Sequence, residues 1–377
     1  MSTKKVTTRA ACSRRQQLVH TMFAVLLISI LLSALPSSCK GCFSIIVGKK
    51  ASADGHVMIA HNEDDTAPQV VNHYKIARKE YSPKDILVLL NGGKLPQPRQ
   101  TWAYIWSQMP GMLYSDSYVN EWGVTITSNN CPSREDKPVI TDGGISLMLR
   151  GIVAQRAKTA REGVLLAGSL VERFGYLGSG RSYSICDPNE GWVFCVVAGK
   201  HWLARRVPDD CVVMIANTYT VGEADLSDKN NILSCKDIIS YAVKRNWYNP
   251  KKDGRFNFAH AYARETAARH PSNIGRLWLG LNQISTKNIP AGPDLPFAVV
   301  PGKSSARWIL CRYFVLIIPQ KTGLIRRRAV LLCVKYAMGG HKRVLWHNLT
   351  VICRKTSVSH TGFACPAPLT HSMYLFM

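Results

Sequence analysis

Cys42-Phe-Ser-Ile-Ile-Val-Gly-Lys-Lys-Ala-Ser-Ala-Asp-Gly-His-Val-Met-Ile-Ala-His-Asn-Glu-Asp64 reads as two β-rich runs around a turn. β-Branched residues dominate the first run, Asp54-Gly55 punctuates the turn, and Val57–Ala60 forms the second run. A symmetric hairpin centred near Ser52 sets residue 42 opposite residue 62. That register brings Asn62, Glu63 and Asp64 beside Cys42. Glu63, Asp64 and Asp65 compete for the same place, and any of them can be a solvated strand end; Asp64 is taken as the acid associated with Cys42.

What precedes this hairpin has the layout of an export signal. Lys4, Lys5, Arg9, Arg14 and Arg15 form a basic leader, and Met22 to Leu35 is an uncharged apolar run. Its length suits a signal h-region, whereas a spanning helix needs about 20 residues. A cut after Gly41 leaves Cys39 and Gly41 at the −3 and −1 positions. Residues 1–41 are therefore read as a signal peptide, with an uncleaved anchor as the competing reading. The expected location is secreted or periplasmic, with no stable membrane span once the signal is gone.

The chain of 377 residues is 46% hydrophobic, enough for a sizeable core and incompatible with a disordered chain. Its formal charge of +24 suggests a polyanion partner until the charge is located. Residues 1–41 hold six Lys/Arg and no acid. Residues 42–294 hold 30 Lys/Arg against all 24 Asp/Glu, a net of +6, and residues 295–377 hold twelve Lys/Arg and no acid. The segment 42–302 is thus nearly ordinary in charge, and no nucleic-acid partner is expected for it.

The middle reads as layered α+β. A second hairpin turns at Asn120-Glu121-Trp122-Gly123. Ile145, Met148, Leu149, Ile152 and Val153 recur at helical spacing after Asp142, read as an N-cap. Thr159-Ala-Arg-Glu162 reads as a capping box, and Gly175 as the C-terminal cap of that helix. Gly175-Tyr-Leu-Gly-Ser-Gly-Arg-Ser182 lacks a phosphate-binding Gly-Lys-Ser/Thr and is read as a loop. Strands follow at 183–186, 192–197, 202–207 and 211–216. Hairpins, two adjacent helices and further hairpins predict sheets covered by helices. Cys39 and Cys42 have redox-pair spacing, but no βαβ unit precedes them. No cysteine pair has zinc-ligand spacing with histidines nearby, so neither a metal, a cofactor nor a disulfide framework is expected.

A cysteine that becomes an amino terminus carries its thiol and its own base on one residue. The α-amine titrates at about 7.7–8.0, close to operating pH, and can take the thiol proton. A neighbouring carboxylate can hold the amine, and side-chain amides can stabilise charge developing on an attacked carbonyl.

The stretch 42–64 resembles the mature start of the secreted cysteine dipeptidases related to secernins. The likeness continues through Pro110-Gly-Met112, Ser115-Asp-Ser-Tyr-Val-Asn-Glu-Trp-Gly123, Ser184-Ile-Cys-Asp-Pro-Asn-Glu-Gly-Trp192, Ala204-Arg-Arg-Val-Pro-Asp-Asp210 and Ser272-Asn-Ile-Gly-Arg-Leu-Trp278. It covers about residues 42–300. The resemblance implies a four-layer αββα N-terminal-nucleophile hydrolase sandwich, related to bile salt hydrolases and penicillin V acylases. It implies an exported dipeptidase acting on dipeptides or short peptides through an acyl-enzyme. Cys42 would be nucleophile and base, Asp64 the acid holding them, and Asn120 an oxyanion donor. Asn217 would be a second polar contact near the oxyanion and substrate amine, and Arg276 the late active-site arginine. His61 departs from a pattern that often has arginine there. On residue type alone, Asn120 also suits a turn, Asn217 a strand end, and Arg276 a helix surface.

Beyond Gly302 the likeness stops. Residues 303–377 contain Arg326-Arg327-Arg328, four cysteines and unpatterned apolar runs. This tail is read as a non-family basic segment from a frame shift near 303–308, which would leave the sandwich incomplete at its C-terminal end. Two rivals to the dipeptidase reading share this evidence. One is an amidase or acyltransferase acting on non-peptide amides with the same site. The other is a catalytically silent secreted protein that binds polyanions through its tail.

Overall fold

The computed structural model describes residues 41–53, 55–63, 72–108, 115–302, 346–350 and 372–376. The proposed signal peptide, Asp64 and most of the basic tail lie outside the described residues. Within the tail, Trp346–Thr350 and Ser372–Phe376 pair as antiparallel strands.

Eleven strands build two sheets. In chain order they are β1 (Phe43–Val47), β2 (Met58–Asn62), β3 (Asn72–Ile76), β4 (Tyr104–Gln108), β5 (Ser115–Asn120), β6 (Thr125–Asn130), β7 (Tyr176–Cys186), β8 (Gly191–Gly199), β9 (Trp202–Arg206), β10 (Val212–Ile215) and β11 (Ile232–Ser234). The helices are α1 (Met148–Arg156), α2 (Ala160–Phe174), α3 (Ile238–Lys244), α4 (Phe258–Tyr262), α5 (Glu265–Ala268) and α6 (Pro271–Ile284). The larger sheet is a meander in the order β3-β4-β5-β6-β7-β8-β9-β11. Only β10 leaves it, to pair antiparallel with β1 in the smaller sheet, whose order is β10-β1-β2.

Strand alternation explains the stacking. Phe43, Ile45 and Val47 on β1, Met58 and Ala60 on β2, and Val212, Met214 and Ala216 around β10 pack against Leu277, Leu281 and Ile284 of α6. The opposite faces supply Ile46, Ile59, Val213 and Ile215 to a core shared with the larger sheet. Val164, Ala167, Leu170, Val171 and Phe174 of α2 bury the far side of that sheet. The order α1/α2, larger sheet, smaller sheet, α6 is an α+β sandwich of αββα layering.

Several local expectations hold. Thr159 Oγ1 accepts from the Glu162 amide at 3.1 Å, while the Glu162 carboxylate reaches the Lys158 amide instead of closing a full box. Gly175 ends α2 at φ 77°. Three others are corrected. Asp142 does not cap α1: Asp142, Gly143 and Gly144 all have positive φ and form a turn, and α1 starts six residues later. Ile145 is buried through a parallel bridge to Tyr176, not on a helical stripe. The glycine-rich stretch after 175 is strand, the first half of β7, with an irregularity between Tyr176 and Gly180.

At one point α2 meets the larger sheet with no room to spare. A Cβ on Gly168 would lie 2.3 Å from the Trp202 ring, whose indole N–H donates to Glu172 at 2.8 Å. Gly168→Ala is expected to destabilise the fold by about 1–3 kcal/mol through overpacking, despite alanine's better helix propensity. Chemical denaturation of the variant beside the parent measures this.

Candidate active site

The β1–β2 pairing sets what faces Cys42. Phe43 pairs with Asn62 and Ser44 with His61, so the register runs one residue on from the symmetric hairpin. Continued by one step, it sets Cys42 opposite Glu63. Since successive residues face opposite sides, Cys42, Ser44, His61 and Glu63 share the face turned toward the larger sheet.

Hydrogen bonds join them in one row. The Cys42 thiol donates to Glu63 Oε1 at 2.9 Å. Glu63 Oε2 lies 3.0 Å from His61 Nε2, and His61 Nδ1 lies 2.9 Å from Ser44 Oγ. Ser44 Oγ donates to Asn129 Oδ1 at 2.6 Å, and Asn129 Nδ2 donates to the Ile215 carbonyl at 3.4 Å. Ser44 and Asn129 are fully buried, and His61 is 2% exposed.

Arg276 approaches from the other layer. Nη1 donates to the carbonyls of Gly41 at 2.9 Å and Cys42 at 2.8 Å. Nη2 donates to Asn217 Oδ1 at 3.0 Å and Asn273 Oδ1 at 2.8 Å, and Nε to the Ser272 carbonyl at 3.1 Å. The planar fork thus ties the first turn of α6 to the peptide on either side of Cys42. Asn217 Nδ2 donates to the Asn130 carbonyl at 3.1 Å, and Asn273 Nδ2 to the Asn217 carbonyl at 3.2 Å. A Cβ at residue 41 would fall 2.5 Å from both Arg276 Nη2 and Asn217 Oδ1, so a side chain there would push the fork aside.

Of the expected site residues, the structure brings Cys42, Asn217 and Arg276 together. Asn120 goes elsewhere. Its Nδ2 donates to the carbonyls of Ala154 and Ala157 at the end of α1, and its Oδ1 accepts from the amides of Trp122 and Val124. Both amide hydrogens are committed to the helix end and the oxygen to the hairpin, which corrects the oxyanion role assigned to it. Asp64 lies outside the described residues, and Glu63 is the acid that meets the thiol. Ser44, Asn129 and Asn273 were missed. Alternation from Cys42 would have found Ser44, and the i, i+3 spacing to Arg276 would have found Asn273.

Among the described residues, Cys131, Cys186, Cys195, Cys211 and Cys235 form no disulfide with one another. Burial pushes the Cys131 thiol up to about 11, and the same cause raises Cys186, Cys195 and Cys235 further. Burial and the neighbouring Asp210 push Cys211 up to about 11. No group of three or more His, Cys, Asp or Glu among the described residues could hold a metal ion, and no described helix is long and apolar enough to cross a membrane. A cavity of about 1040 Å³ lies on the outer side of β10, lined by Met214, Thr218, Leu277 and Phe297; Cys42, Asn217 and Arg276 do not line it.

The family model for peptidase family C69 matches residues 41–305. A probable dipeptidase of Latilactobacillus sakei is 28% identical over 277 residues, covering 68% of this chain and 56% of that protein. Dipeptidase A of Lactobacillus helveticus is 28% identical over 274 residues, covering 68% and 57%. A dipeptidase of Bifidobacterium longum is 28% identical over 266 residues, covering 63% and 49%. The chain thus spans about half the length of the curated relatives it matches. Among solved structures, penicillin V acylase from Agrobacterium tumefaciens aligns with a TM-score of 0.39 at 10% identity, covering 78% of this chain and 85% of that one.

Arg276→Lys keeps the charge but loses the fork, and is expected to cost about 1.5–3 kcal/mol for each charged hydrogen bond left unmade. Denaturation midpoints of Arg276→Lys and Asn217→Ala, beside the parent, test whether the fork holds residues 41–42 in place.

Proposed function

We propose that this chain, which belongs to peptidase family C69, is an exported hydrolase of dipeptides or short peptides that attacks through an amino-terminal Cys42. The observation that carries this reading is the convergence of Arg276 and Asn217 on the backbone at residues 41 and 42, beside a thiol already hydrogen-bonded to a carboxylate. The names of the relatives support peptide substrates, and the leader supports export.

Removal of residues 1–41 frees the Cys42 α-amine and takes away the Gly41 carbonyl that Arg276 Nη1 holds. That guanidinium donor can then turn to a substrate carbonyl or carboxylate beside the nucleophile. The amine takes the thiol proton, and sulfur adds to the substrate carbonyl carbon. Collapse of the adduct breaks the C–N bond, and the leaving amine collects the proton from the α-ammonium. Water then adds to the thioester, passes a proton to the α-amine, and the C–S bond breaks to release the acid and restore the thiol.

Mass spectrometry of the secreted protein is expected to find Cys42 first; any other start removes the base and sinks this mechanism. Against a panel of dipeptides and simple acyl-amides, the parent is expected to prefer dipeptides. Cys42→Ala should lose ~10³-fold or more in kcat/KM, the size of effect seen when a nucleophile is removed. Preference for acyl-amides would instead identify an amidase.

A further inference from the structure

The buried row that leads away from Cys42 fixes its own hydrogen positions. A carbonyl accepts only, so the Asn129 group facing Ile215 O must be Nδ2 and the group facing Ser44 must be Oδ1. Oδ1 in turn accepts only, so the Ser44 hydroxyl spends its single hydrogen on Asn129. His61 Nδ1, 2.9 Å from that hydroxyl, must therefore donate to it. At the ring's other end, Nε2 lies 3.0 Å from Glu63 Oε2, and one hydrogen must sit between them. A further hydrogen lies between Cys42 sulfur and Glu63 Oε1. An imidazolium, a carboxylate and a thiol satisfy every contact, with charges that cancel in a site largely closed to water.

We infer that His61 is held as an imidazolium by Ser44 and Asn129, and that as a positioning residue it keeps the Glu63 carboxylate aimed at the Cys42 thiol. The inference rests on the reading of Cys42 as nucleophile. Among the described residues, the groups facing this row are Cys42 just before β1, Glu63 after β2, and Arg276 of α6, which is bonded to the Cys42 carbonyl. Cys131 after β6 and Arg181 on β7 lie beyond, in the larger sheet. Loss of the Nε2 hydrogen sets a ring lone pair against a carboxylate oxygen. It also leaves Glu63 as an uncompensated anion beside the sulfur, which disfavours the thiolate.

Two readouts on the full chain test this without requiring turnover. In ring-nitrogen NMR of protein labelled with ¹⁵N-histidine, assigned by the signal lost in His61→Gln, both His61 nitrogens should carry hydrogen at neutral pH. A bare Nε2 would place the proton on Glu63 and overturn the inference. Alkylation of Cys42 by iodoacetamide, mapped by mass spectrometry across pH, should be about tenfold slower at neutral pH in His61→Gln, the effect of one unit in thiol ionisation. His61→Arg, which keeps a cation beside Glu63, should match the parent at neutral pH. Ser44→Ala, a smaller change that removes the acceptor of Nδ1, should also slow alkylation at neutral pH. Superimposable alkylation curves for the parent and all three folded variants would overturn the positioning role. An intact His61 signal in a chain with no peptidase activity would overturn the functional reading alone.

Discussion

Everything at the site depends on β1 being buried on both faces in one register. Phe43, Ile45 and Val47 are each fully buried against the α6 layer. Burial of a side chain of that kind contributes about 1.5–3 kcal/mol. A slip of one residue would turn those three toward the polar row and turn Cys42, Ser44 and Ile46 onto an apolar helix. The cost of the wrong register is therefore several buried side chains at once, and the reactive sulfur inherits its direction from aliphatic packing.

The two sides of Cys42 are handled by different chemistry. On the side-chain side, a row of single hydrogen bonds passes from sulfur through Glu63, His61 and Ser44 to Asn129, and each member is matched by a partner of the right polarity. On the backbone side, one guanidinium spends its donors on the two carbonyls just before β1, two asparagine side chains and its own helix. The row sets where the thiol points, and the fork sets where its backbone lies. Neither works without the other, because a hydrogen-bonded rotamer is only as well placed as the Cα that carries it.

The opening hairpin, the two adjacent helices, the Thr159 and Gly175 caps, and Cys42, Asn217 and Arg276 as one site were legible because each rests on a local signal or a resemblance that spans the segment. The residue standing opposite Cys42 was not. Turn chemistry around Ser52 allows two centres half a residue apart, and that difference decides whether Asn62 or Glu63 stands across from Cys42. Asn120 misled for a related reason: an asparagine at a turn offers the same amide whether it serves the turn or a substrate, and only the end of α1 beside it decides. The glycines after 175 look like a loop, but pairing with β6 and β8 overrides local propensity.

Arg276 reaches back across 235 residues to the Gly41 carbonyl. A contact of that span is among the last a chain can form, since the loop it closes contains almost the whole sandwich. During synthesis from the amino end, the segment bearing Cys42 emerges first and stays without its guanidinium until α6 has been made and docked. Order of assembly thereby becomes a safeguard: a thiol that would be hazardous on a half-made chain acquires the guanidinium beside it only when α6 arrives.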